Sequence, residues 1–181
     1  YVDRIGKDTQ KRPLAEYFRE LLGQADIDMK KVVNRYICNN PHPDGITCLV
    51  EMLFEDLDHK DYLKHLANIA EHSSIAWIAH AFLPHAEKII GKIKAGGKHV
   101  TYAARCLNSL YYKIPALFSS AFSEAVRELK KKYDRHGDSS PGHIDCLRIL
   151  APDVLQEKSR AMRPRFGKRS RSGEGEADTP E

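Results

Sequence analysis

From Asp61 to Asp134 the chain is a succession of apolar faces at helical spacing, and this limits the fold more than any other feature. Leucine, isoleucine and alanine recur at three- and four-residue intervals, with charged residues between them. Aromatic residues make up only 8% of the sequence, so the core has to be aliphatic. That favours helices, because strand-rich folds lean on β-branched and aromatic side chains. A chain of 181 residues, 41% hydrophobic and 30% charged, is globular and long enough to bury one sizeable core. The expected fold is all-α: stacked antiparallel helices, forming either a short α-solenoid or a compact helical bundle.

Proline and glycine punctuate the pattern. Residues 1–12 read as a polar lead-in, and Pro13 suits the first turn of a helix carrying Leu14, Tyr17, Phe18, Leu21 and Leu22, stopped at Gly23. Asp26 is placed to cap a second helix and Asp58 a fourth, with a third between them through Ile46, Leu49, Val50 and Leu53. The run Ile75 to Ile93 contains Pro84, and an interior proline costs about 3 kcal/mol, so two shorter helices are expected with Pro84 opening the second. Helices over Lys98–Lys113 and from Pro115 onward follow, the latter burying Phe118. The stretch from His136 to Gly142 reads as a loop, Ile144–Leu150 as a short helix and Asp153–Lys158 as a further turn. The helical domain is thus expected over residues 13–157, and a disordered tail over 158–181, where composition cannot bury enough surface to fold.

Charge divides the chain in the same place. Of 29 basic and 25 acidic residues, the tail holds seven and four, leaving a body with 22 and 21. A near-neutral body argues against a large nucleic-acid surface there, so contact with nucleic acid is expected through the tail only. No run of about 18 apolar residues predicts a membrane span. The first residue is Tyr1 and not Met, as expected of a fragment or a processed product.

Shifting the sequence by 40 residues aligns Ala81 and Phe82 with Ala121 and Phe122, Ile89 with Leu129, and Lys92 with Lys132. One further residue aligns Leu66 and Ile69 with Leu107 and Leu110. Helix pairs that bury their faces only against the next pair produce such a period. The segment YAARCLNSL, Tyr102 to Leu110, resembles the inner helix of armadillo and HEAT repeats, where small residues allow close packing. The resemblance implies a helical scaffold that presents a face to a protein partner.

Signals for catalysis are missing from the sequence. There is no nucleophile elbow, no phosphate-binding glycine loop in the required order and no HExxH pair. Asp61 and His65 share a helix face, but His72, His80 and His85 are spread across a proline. No enzyme activity, metal or cofactor is expected. Cys38, Cys48, Cys106 and Cys146 permit two disulfides in three pairings, yet three of them sit amid apolar faces, where a free thiol packs as a small hydrophobe. The candidate partner-binding residues are the large Trp77, Tyr111 and Tyr112, and the lysines Lys92, Lys94 and Lys98 near a helix end, which suit a phosphate or an acidic partner. Tyr111 and Tyr112 are adjacent, so one of them must be at least partly exposed.

The tail supports two functions. Arg163, Arg165, Lys168, Arg169 and Arg171 form a basic cluster suited to nuclear import or electrostatic contact. The segment RPRFGKR, Arg163 to Arg169, also resembles the end of invertebrate neuropeptide F and related RFamide precursors. That resemblance implies cleavage at Lys168-Arg169, with Gly167 donating the amide to Phe166. The favoured expectation is an intracellular, nuclear interaction scaffold with a protein partner and no membrane contact. The competing one is a secreted precursor.

Overall fold

The computed structural model describes residues 7–39, 44–136 and 141–161, with side chains described over 13–35, 44–74, 79–135 and 141–156. Turn-forming residues partition the apolar faces into ten α-helices among the described residues: α1 (Lys7–Leu22), α2 (Met29–Asn39), α3 (Asp44–Leu53), α4 (Tyr62–His72), α5 (Ile75–Phe82), α6 (Ala86–Ala95), α7 (Val100–Lys113), α8 (Pro115–His136), α9 (Pro141–Leu150) and α10 (Pro152–Ala161). The described residues contain no strand.

Three helices begin on a proline, Pro115, Pro141 and Pro152, where the missing N–H would have had no intrahelical partner. This carries α9 three residues further toward the N-terminus than the apolar pattern predicts. Pro84 lies in a 3-10 turn, Leu83–His85, which joins α5 to α6 as expected. Pro13, by contrast, lies inside α1, which starts at Lys7. A proline so near a helix start removes one backbone bond, and the Gln, Lys and Arg before it are good helix formers. Two expected caps move. Asp28, not Asp26, caps α2, accepting from the Lys31 N–H at 3.3 Å. Asp58 does not cap α4, which starts after Asp61; it pairs with Lys92 instead.

The helices pack in two layers. In one, α1 packs on α3, α3 on α5, and α6 on α8; in the other, α2 packs on α4, α4 on α7, and α7 on α9. The bend at Pro84 lets one helical run serve two neighbours, with α5 meeting α3 and α6 meeting α8. Residues that align at a shift of 40 fall on α5, α6 and α8, in the first layer, and those at 41 fall on α4 and α7, in the second. The core is one cluster to which helices of both layers contribute. It is aliphatic as expected, with Leu49, Leu53, Leu66, Ile69, Ile93, Leu107 and Leu110 fully buried, and Phe18, Phe82 and Phe118 as its large members.

The contact of α4 with α7 is the most extensive in the structure. Small side chains, Ala67 and Ala70 on α4 and Ala103 and Ala104 on α7, are fully buried. Polar groups fix the register. Lys113 Nζ donates to the carbonyls of Ala70, Glu71 and Ser73 at 2.7, 2.6 and 2.9 Å, using all three ammonium protons on the open end of α4. Arg105 grips the Glu71 carboxylate through both oxygens at 2.7 and 2.9 Å. The α6–α8 contact repeats the device: Lys132 Nζ donates to the Lys94 carbonyl at the end of α6, and Lys94 pairs with Glu124 at 2.5 Å.

Replacing Lys113 by Met keeps the apolar stem and removes the three charged bonds, so the unfolding free energy should fall by about 1–3 kcal/mol. An unchanged urea midpoint would show that the cap carries no stability. Glycines give an opposed pair. Gly96 has φ +75 and an added Cβ would lie 2.8 Å from His143 Nε2, so Gly96→Ala should destabilise by about 1–3 kcal/mol. Gly91 is exposed on α6 with open space around its Cα, and Gly91→Ala should stabilise by about 0.5–1 kcal/mol. Thermal denaturation of both variants checks the signs.

Candidate functional site

Helices that alternate between two layers bring their connecting loops together at the ends of the stack. The α3–α4 loop (residues 54–61) and the α6–α7 loop (residues 96–99) meet in this way, and Asp58 of the first pairs with Lys92, 34 residues on, in α6 just before the second. They enclose a hollow of about 350 Å³ whose polar lining includes Asp58, His59, Lys60, Lys92, Lys98 and His99. Lys92 reaches it from the last turn of α6, which suits a cation at the negative end of a helix. Its side chain is 24% exposed and its ammonium rests on the Asp58 carboxylate, itself 90% exposed.

The loop that supplies Lys98 and His99 is conformationally unusual. Gly96, Gly97 and His99 all have positive φ, 75, 95 and 66, and His99 is the sole non-glycine residue among those described with this backbone. His99 opens α7 without a side-chain cap, and its ring stacks against Tyr102 at 6.2 Å. Across the hollow, His59 Nδ1 accepts a bond from the Asp61 N–H at 3.4 Å, which places the proton of the neutral ring on Nε2. The His59 ring lies 4.2 Å from Tyr62. Three lysines and two histidines stand against one carboxylate in this lining, so the hollow is predominantly basic.

The lysines expected to act together are divided. Lys92 and Lys98 line this hollow, whereas Lys94 turns to Glu124 on α8 and holds that carboxyl below the usual carboxylate range. Residues two apart on a helix do not share a face, which is why Lys92 and Lys94 part company. Sequence reasoning missed His59, Lys60 and His99, because nothing local links the two loops. Tyr111 is half-buried and stacks on Phe122 with centroids 4.1 Å apart, while Tyr112 is 76% exposed. Trp77 lies on α5 outside the described side chains, as does Cys38 on α2. Arg163, Arg165, Phe166, Gly167, Lys168, Arg169 and Arg171 lie outside the described residues.

A second hollow, of about 290 Å³, lies beside the start of α4 and is lined by Asp26, Asp28, Asp61, Lys64 and His65. Among the described residues no group of three His, Cys, Asp or Glu is arranged to hold a metal. His65 is 7% exposed and its Nδ1 is buried without a partner. Burial depresses its pKa, with Asp61 opposing and Lys64 adding to the effect. His85, stacked on Phe54 at 4.3 Å, and His143 are shifted down for the same first reason. His72 and His80 are exposed on separate helices. The three cysteines described, Cys48, Cys106 and Cys146, are not in disulfides, and burial pushes the Cys146 thiol up to about 12. Such thiols are poor nucleophiles at neutral pH.

The lowered histidines set the direction of a pH response. The unfolded chain takes up protons near the ordinary value of 6.5 and the folded chain lower, so stability is lost as pH falls through about 6.5. His65→Leu should remove part of the loss that urea unfolding records between about pH 7 and about pH 5. An unchanged pH slope in that variant would mean that His65 is already solvated.

No family model matches this chain, and no curated protein or solved structure is significantly similar to it.

Proposed function

We propose that this chain is a non-enzymatic protein-binding scaffold in which two layers of stacked helices hold a fixed surface toward a protein partner. The observation that carries this reading is the corner between α7 and α8. Tyr112 is 76% exposed and Leu117 42% exposed; among the described residues the other large apolar side chain so exposed is Leu83, at 43%, in the 3-10 turn between α5 and α6. Tyr112 and Leu117 are held on rigid elements. Tyr112 sits in the last turn of α7, and Pro115 starts α8 directly after the half-buried Ile114. An exposed tyrosine on a fixed frame offers large contact area at small entropic cost, and tyrosine is enriched among the residues that dominate interfaces.

Two further features support it. Residues aligned at shifts of 40 and 41 occupy equivalent layers, which favours the likeness to armadillo and HEAT repeats, and such stacks serve as binding surfaces. The buried thiols of Cys106 and Cys146, neither of them in a disulfide, favour a reducing compartment over a secreted precursor. In this reading the basic cluster from Arg163 to Arg171 supplies nuclear localisation or electrostatic attachment.

The test is a comparison of proteins co-purifying with the tagged full chain and with its Tyr112→Ala, Leu117→Ser double variant. Partner recovery should drop about tenfold or more, in line with the loss of a hot spot, while the thermal midpoint stays put. An identical set of partners from both chains would overturn the assignment of this corner.

A further inference from the structure

We propose that the hollow between the α3–α4 and α6–α7 loops binds a phosphorylated serine or threonine in a segment of the protein partner, with Lys60, Lys92 and Lys98 as phosphate ligands and Asp58 as the internal competitor. The inference rests on the scaffold reading above and names the chemistry of one of its contacts.

Charge complementarity selects an anion. Lys60, Lys92 and Lys98 line one cavity together with His59 and His99, and Asp58 is the one carboxylate among its lining residues. Lys60 meets Asp61 only at 4.0 Å, with 78% of the lysine side chain exposed, so its ammonium is free to turn toward a ligand. Lys98 is exposed and stands in the left-handed loop beside Gly97, where an added Cβ would meet nothing within 4 Å. A ligand therefore approaches the backbone at this point without a steric barrier.

The Asp58–Lys92 pair decides between a carboxylate and a phosphate. Asp58 already occupies the Lys92 ammonium. An acidic side chain entering the hollow would exchange one carboxylate for another, with little gain. A phosphate monoester carries a charge of about −1.5 to −2 and three acceptor oxygens, so it reaches several ammonium groups at once. Asp58 is 90% exposed and can swing into solvent when displaced. The volume of about 350 Å³ accepts a phosphorylated side chain but not a folded element.

The experiment uses the full chain and a degenerate phosphoserine peptide library, with the unphosphorylated library as its control. Phosphopeptides should be retained and the control should not, with retention weakening as salt is raised. Lys98→Gln should weaken binding about fivefold or more without affecting the fold, since Lys98 is exposed. Asp58→Asn should strengthen it severalfold, because Lys92 is then free of its internal carboxylate. That gain is the sharper readout, since damage to the fold cannot produce it. Equal retention of the two libraries, or weaker binding by Asp58→Asn, overturns the proposal. So does binding of inorganic phosphate, or of vesicles containing phosphorylated inositol lipids, as tight as that of the peptides. If phosphopeptides fail while partners still depend on Tyr112 and Leu117, the pocket falls and the scaffold stands. If phosphopeptides bind while the corner variant changes nothing, the pocket stands and the corner falls.

Discussion

The seam between α4 and α7 is the constraint on which the rest of the arrangement depends. α7 packs on α4 and α9 within its own layer and on α6 and α8 across the core. Its buried face is small where Ala103 and Ala104 lie, which leaves room for close approach of a neighbouring helix, and large where Leu107 and Leu110 lie, which supply aliphatic packing. Apolar packing alone leaves a helix free to slide by a turn. Lys113 on the open end of α4, and Arg105 on Glu71, remove that freedom because each must meet fixed oxygens. Lys132 and Lys94 act similarly between α6 and α8. Cationic side chains on one helix thus close the negative end of its neighbour, and the stack gains a defined register.

Register at the seam places the loops. Once α4 and α6 are each fixed against a neighbour, the loop preceding α4 and the loop following α6 face each other over a basic hollow. The exposed corner at Tyr112 follows from the same frame, because Tyr111 turns inward onto Phe122 and leaves its neighbour to solvent. Neither surface contains a buried, activated nucleophile. The thiols of Cys106 and Cys146 are pushed upward by burial, and Glu71 adds to the effect at Cys106.

Much of the fold was legible from local pattern. Pro84 marks the break between α5 and α6, and Phe118 goes to the core because it falls on the apolar stripe of α8. The need for one of two adjacent tyrosines to face out follows from helix geometry alone. Caps were less legible, since several aspartates precede each apolar run and only backbone geometry selects among Asp26, Asp28, Asp58 and Asp61. Prolines at the starts of α9 and α10 were undervalued because a proline signals both a loop and a first helical turn.

The candidate site was only half legible. Lys92 and Lys98 stand out in GKIKAGGKH, but so does Lys94, and sequence proximity says nothing about which face each occupies across a helix end. His59 and Lys60 belong to a different segment, and nothing in the composition ties them to the glycine-rich loop. By itself the sequence determined the helical class, the aliphatic core and the breaks between helices, because these rest on periodicity and on backbone limits acting over a few residues. The tertiary structure decided which loops meet, which lysines are held by carboxylates and which tyrosine is left exposed. The first two outcomes depend on contacts 30 to 43 residues apart and the third on the stack of Tyr111 on Phe122, so packing and charge pairing beyond a few residues choose the partner.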